Sequence, residues 1–207
     1  AALRAACYGD LRIMFPMVSS MEDIAAAKAA LEDAMQSLAR DGLPFQPQVK
    51  IGVMVEIPAI ALIADLVAQE VDFVSIGSND LCQYMVAADR MNPQVSSYYR
   101  PLHPAMLRAI ATIAQEFRQA GKEVALCGEL GGDPVGALAL IGLGVHRLSM
   151  SPSAVPYVKR AICHSEAAEL AQLAQQAQQL PCETDIRALF TAYLQEHQEE
   201  ETEEVPC

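Results

Sequence analysis

Glu56, Asn79, Asp80, Arg90 and Cys127 are the residues of this chain whose types and settings could do chemistry. Glu56 closes the apolar run 49–56 (VKIGVMVE), just before Ile57-Pro58, and Asp80 follows the run 71–76 (VDFVSI) across Gly77-Ser78-Asn79. If those runs are neighbouring strands, the two carboxylates converge. Two carboxylates, with other positions left to water and substrate oxygens, are how Mg²⁺ is commonly held. Either acid alone could instead cap the helix that follows it. Asn79 offers an amide donor for a phosphate oxygen, or plain turn chemistry. Arg90 presents a planar fork suited to phosphate or carboxylate, or else a cation at a helix end. Cys127 ends the run 123–127 (EVALC) and precedes Gly128, which permits close backbone approach; there it could be a nucleophile, an acid or packing.

Other signals are weaker. Gly131-Gly132-Asp133 resembles a phosphate-cradling turn leading into a helix. None of the histidines, at 103, 146, 164 and 197, falls at a strand C-terminus, and His146 lies near the start of the last expected strand. There is no Ser-His-Asp order, Walker loop or GxGxxG.

The elements that must position these residues alternate in period. Apolar runs at 11–17, 49–56, 71–76, 123–127 and 145–150 read as five buried strands. Each is followed by residues at helical spacing. Ser19-Ser20-Met21-Glu22 caps the first long helix, whose apolar side carries Ile24, Leu31, Met35 and Leu38 and which Gly42 ends. Further helices are expected at 59–67, 81–88, 104–120, 134–143, 151–163, 165–179 and 184–198. Strands apolar on both faces, each with its own helix, mean a parallel sheet in an α/β fold, either doubly wound or a (β/α) barrel. Chemically capable residues at several strand C-termini favour the barrel. A barrel needs eight strands and typically ~250 residues, and five strands are read here. About three units are therefore expected to be missing. The chain also begins without Met and inside an apparent helix at 1–8, as a piece of something longer would.

Composition bounds the partners. The chain has 207 residues, 52% apolar, with 26 acids against 14 bases for a formal charge of −12. That balance argues against sequence-independent nucleic-acid binding and against docking on anionic lipid. No apolar run reaches the ~18–20 residues that span a bilayer. Six cysteines without CxxC spacing fit the reduced thiols of a cytoplasmic protein. Residues 199–207, rich in Glu, read as a solvated, disordered tail after a barrel domain at 1–198.

Taken in order, the segments IGVMVEIP (51–58), VDFVSIGSNDL (71–81), Gln83-Tyr84, AADR (87–90), LCGELGGD (126–133), Gly142–Gly144 and LSMS (148–151) resemble the C-terminal phosphoenolpyruvate-binding domain of Enzyme I, the phosphotransferase of the bacterial sugar phosphotransferase system. Multiphosphoryl transfer proteins carry the same module. Pyruvate phosphate dikinase and phosphoenolpyruvate synthase share parts of it. The resemblance runs from about Leu3 to His197. It implies a (β/α)8 barrel, here strands four to eight. It implies Mg²⁺ on Glu56 and Asp80, phosphate contacts from Asn79 and Arg90, and Cys127 as the catalytic thiol. It implies phosphoryl transfer from phosphoenolpyruvate to a histidine of a separate N-terminal domain, then to a small phosphocarrier protein, with pyruvate as product and a homodimer as the assembly. An unperturbed thiol titrates near ~8.5, so most carry a proton at neutral pH to give to an enolate. The phosphohistidine domain and the first three barrel units are not in this sequence, so the chain alone is expected to be inactive. Its open sheet edges and uncovered interior are expected to make it self-associate. Arg12, inside a strand, is not assigned to the substrate.

Overall fold

A computed structural model describes the backbone of residues 1–203 and the side chains of residues 1–197. A short helix α1 (Ala2–Ala5) and a 3-10 turn lead into strand β1 (Arg12–Phe15). Helix α2 (Met21–Arg40) starts at a capping box: Ser20 Oγ accepts from Asp23 N at 3.3 Å and Asp23 Oδ2 accepts from Ser20 N at 3.0 Å. The Ser19 backbone N–H, on the same carboxylate, is the main reason Asp23 is held below the usual aspartate range. Strand β2 (Lys50–Val55) follows, then α3 (Pro58–Ala61) and α4 (Ala64–Glu70). Next come β3 (Phe73–Gly77), α5 (Ser78–Val86), α6 (Pro104–Gln119) and β4 (Glu123–Cys127). The chain ends with α7 (Pro134–Gly142), β5 (Arg147–Ser149), α8 (Val155–Cys163), α9 (Ala167–Ala177) and α10 (Glu183–Glu203).

All strand pairings are parallel, in the order β1-β2-β3-β4-β5. This sequential order decides the architecture. Right-handed crossovers between successive neighbours place every connecting helix on one side of the sheet. A doubly wound sheet would require a reversal of order, and none occurs among the described strands. Burial agrees. Val53, Val55, Val74, Ile76 and Leu126 are fully buried on the helix side, against Leu107, Ile110 and Phe117 of α6 among others. The opposite face carries Arg12, Met14, Ser75 and Arg147, and no described helix covers it.

That open face is layered, because register partners in a parallel sheet point the same way. Gly52, Phe73 and Glu123 form a lower layer, Met54, Ser75, Ala125 and Arg147 the next, and Gly77, Cys127 and Ser149 the layer at the strand C-termini. Phe73 lies flat over Gly52, where an added Cβ would meet the ring at 2.6 Å. The Arg12 guanidinium stacks on the same ring, 5.6 Å from its centroid.

Several sequence expectations need correction. The helix expected at 59–67 is two helices, broken at Leu62 and Ile63, and Leu62 is 84% exposed. The helix expected at 81–88 begins at Ser78 and ends at Val86, closed by Ala87 in the left-handed conformation. The acidic tail expected at 199–207 lies outside the described side chains, and residues 204–207 lie outside the described backbone. The five described cysteines, Cys7, Cys82, Cys127, Cys163 and Cys182, are free thiols. Burial pushes the Cys82 thiol up. No described helix is long and apolar enough to cross a membrane.

Candidate active site at the strand C-termini

Glu56 stands one residue beyond β2, where the alternation of the strand turns it to the open face. It is 4% exposed. The backbone N–H of Met17, beyond β1, donates to Glu56 Oε1 at 2.7 Å. Met17 holds a positive φ of 54° to do so, a conformation uncommon for a residue with a side chain. The other oxygen, Oε2, lies over Gly77: a Cβ there would sit 3.1 Å from Oε2 and 3.0 Å from Glu56 Cβ. Glycine at 77 thus lets the carboxylate lie flush on the end of β3. Glu56 caps no helix; Ile57 occupies the N-cap of α3.

Gly77 is the N-cap of α5, so Asn79 and Asp80 belong to the helix's first turn rather than to a loop. Neither side chain caps the helix. Asp80 Oδ1 lies 3.7 Å from Arg90 Nη1, an ion pair too long for a hydrogen bond. Arg90 is four residues past the end of α5, not at a helix terminus, and its backbone N–H donates to Gln83 Oε1 at 3.2 Å. Arg90 Nη1 is buried and has no hydrogen-bond partner.

Asn79 ties three segments together. Its Oδ1 accepts from Glu129 N at 3.1 Å and from the Tyr99 hydroxyl at 3.3 Å. With the carbonyl engaged on that side, the amide Nδ2 is left as a donor. Burial, more than any other cause, pushes the Tyr99 phenol up, so it keeps its proton; the neighbouring Arg90 pulls it the other way.

Cys127 ends β4 beside Gly77, its register partner. Its Sγ accepts from Ser75 Oγ at 3.5 Å and donates to the Ile76 carbonyl at 3.6 Å. The Cys127 carbonyl accepts from Ser78 Oγ at 3.2 Å. Gly128 then turns away with φ 133°, and a Cβ there would overlap Ser78 Oγ and crowd Asn79. A cavity of about 590 Å³ opens beside this turn, bordered by Asn79, Glu129, Asp133, Ser149 and Ser151.

Gly131-Gly132-Asp133 is not a phosphate cradle here. Asp133 caps α7, accepting from Val135 N at 3.2 Å, and pairs with Arg187 at 2.8 Å, so a carboxylate already occupies that helix start. His103 caps α6 through Nδ1, and His146 is an exposed residue just before β5.

The five residues read from the sequence therefore gather at one end of the sheet. What the sequence did not reveal is their support: Met17, Ser75, Ser78, Gln83 and Tyr99. Ser75, Ser78 and Gln83 lie within the motif segments. Tyr99 lies in a loop that gave no signal, and Met17, read as the end of a strand at 11–17, lies in the loop beyond β1, which ends at Phe15.

The donor set fits a hard divalent cation. Glu56 Oε2 and both Asp80 oxygens accept no hydrogen bond among the described residues, and both groups are carboxylates. No cluster of three or more ligating side chains is present among the described residues. Two protein carboxylates with the remaining positions left to substrate and water match the way Mg²⁺ is bound beside phosphates.

Comparison with known proteins identifies the family. Residues 1–167 match the model of the family described as PEP-utilising enzyme, PEP-binding domain. The phosphoenolpyruvate-protein phosphotransferase of Enterococcus faecalis is 45% identical over 155 residues, 75% of this chain and 27% of that protein. The multiphosphoryl transfer protein of Escherichia coli O6:H1 is 42% identical over 196 residues, 95% of this chain and 24% of that protein. The chain thus spans about a quarter of the length of these curated relatives. Among solved structures, a citrate lyase from Burkholderia xenovorans LB400 superposes with a TM-score of 0.54 at 18% identity, over 96% of this chain and 66% of that one, a likeness of fold alone. With its family model matched over most of its length and its site residues on one edge of the sheet, the chain belongs to the PEP-binding domain family of PEP-utilising enzymes.

Proposed function

We propose that this chain is the phosphoenolpyruvate-binding part of a phosphoenolpyruvate–protein phosphotransferase. In this reading, residues 1–198 form five consecutive units of an eight-stranded barrel, strands four to eight. The phosphoryl group passes from phosphoenolpyruvate to a histidine on a separate domain, then to a small phosphocarrier that feeds sugar import. The working assembly is a cytoplasmic homodimer.

The observation that carries the reading is Arg90 Nη1, a buried cation edge that pairs with Asp80 at 3.7 Å but makes no hydrogen bond among the described residues, at the same end of the sheet as the Asn79 amide. Buried polar atoms are rarely left unmatched. A phosphate oxygen would satisfy this one and the Asn79 amide together. Phosphoryl transfer is mostly positioning and charge neutralisation, and these two donors supply both. Mg²⁺ on Glu56 and Asp80 would neutralise the carboxylate and phosphate oxygens of the ligand. The Met17 N–H fixes Glu56 by one oxygen and leaves the other for that cation. When the phosphoryl group departs, the enolate of pyruvate remains, and Cys127 gives its methylene carbon the thiol proton.

Calorimetric titration with phosphoenolpyruvate and Mg²⁺ tests the reading. Binding should need the cation and vanish in Glu56→Ala and in Asp80→Ala. Unchanged affinity in both variants would remove the metal assignment.

A further inference from the structure

Ser75 supports the site through Cys127 but has no role in the chemistry described above. It is a polar residue 8% exposed in a strand whose neighbours Val74 and Ile76 are fully buried. It sits on the open face, one layer below Gly77 and Cys127. A hydroxyl taken from water needs a partner. The partner it has among the described residues is Cys127 Sγ, to which Ser75 Oγ donates at 3.5 Å.

The thiol's other contact sets up the chemistry. Cys127 Sγ donates to the Ile76 carbonyl at 3.6 Å. That contact exists only while sulfur holds its proton. Once the proton leaves, the carbonyl dipole faces a negative sulfur and repels it. Among the described residues, the Ser75 O–H is then the one donor left on the sulfur.

We infer that Ser75 is a positioning residue for Cys127. Its hydroxyl holds the thiol at the end of β4 and stabilises the thiolate left by proton donation. The inference rests on Cys127 being the proton donor. In that step the S–H bond breaks with its electron pair kept on sulfur. The enolate's electron pair forms the new C–H bond at the methylene carbon, and solvent later returns a proton to the sulfur. The serine lends a hydrogen bond throughout and transfers nothing.

The groups facing Cys127 from neighbouring elements are few. From β3 they are Ser75 and the Ile76 carbonyl; from β5, its register partner is the neutral Ser149. Glu56 approaches from the end of β2 across Gly77. Arg147, one layer down, is turned to Glu123 at 2.6 Å. Glu129, two residues on, is exposed. Removing Ser75's hydroxyl therefore changes the one contact that favours the thiolate.

The test is the pH dependence of iodoacetamide alkylation at Cys127, read peptide by peptide by mass spectrometry on the 207-residue chain. Ser75→Ala should move the midpoint up by about one unit, roughly tenfold slower alkylation below the midpoint. Ser75→Thr should restore it. Ser75→Val, equal to Thr in shape, should behave like Ala, which keeps the test decisive even if Ala loosens the strand. A midpoint that stays put in Ala and Val, or follows side-chain size instead of the hydroxyl, overturns the inference. The assay contains no phosphoenolpyruvate, so failure of the catalytic reading would show separately, as turnover of the complete phosphotransferase indifferent to Cys127→Ala.

Discussion

Arg12 on β1 donates from Nη1 to both carboxylate oxygens of Glu123 on β4, each at 3.1 Å, although β2 and β3 lie between their strands. In a flat sheet, three strand spacings separate the two backbones by ~14 Å. Arg147 on β5 reaches the same carboxylate at 2.6 Å. The sheet is therefore curled around its open face, with Glu123 gathering three strands. This pair lies in the lower layers, at the end of the strands opposite Glu56 and Cys127, which is why Arg12 takes no part in the candidate site.

Glu123→Gln should destabilise the chain by about 1 kcal/mol, since it leaves two arginines converging without their shared counter-charge. The groups are partly exposed, so salt should screen the effect. Urea unfolding at 50 mM and 1 M NaCl checks this. Equal stability of variant and parent at low salt would show that the triad does not hold the curvature.

Gly128→Ala should cost roughly 1–3 kcal/mol and weaken ligand binding at least tenfold. The position demands φ 133°, which an L side chain rarely adopts, and the added methyl would overlap Ser78 Oγ and crowd Asn79. Thermal unfolding and calorimetry read the two effects. A variant with parental Tm and affinity would mean that the turn relaxes freely.

Tyr99→Phe removes the hydroxyl that orients Asn79 and should cost about 0.5–1.5 kcal/mol at neutral pH. Its pH signature has a definite sign. Burial raises the Tyr99 phenol above its ordinary value of 10.0. Above pH 10 the unfolded chain releases that proton while the native chain retains it, so the parent loses stability as pH rises through the native value. Tyr99→Phe should lose less over that interval. Tyr193, also raised by burial, leaves a residual slope in both proteins. Denaturant unfolding from pH 8 to 11 measures it, and parallel curves for the two proteins would count against a buried phenol at position 99.

What the residues alone determined was the repeating unit and the edge on which the candidate residues gather. Apolar runs such as 71–76 and 123–127 encode strands by their two-sided burial, and helical spacing after each encodes the crossover. A chain of such units can close only as a parallel sheet, so Glu56, Asp80 and Cys127, each just past or at a strand end, had to share one edge. Tertiary structure decided the rest. Only long-range contacts select between doubly wound and one-sided sheets, and only the Arg12–Glu123 reach reveals the curl. Asp80's place in a helical turn depends on Gly77 yielding room to Glu56, a contact 21 residues apart in sequence. The partners of the site, the Met17 amide, the Ser75 hydroxyl and the Tyr99 phenol, come from a loop, a neighbouring strand and a distant turn. Their hydrogen bonds depend on how three-dimensional packing aims each group, and period-two or period-3.6 patterning carries no record of that.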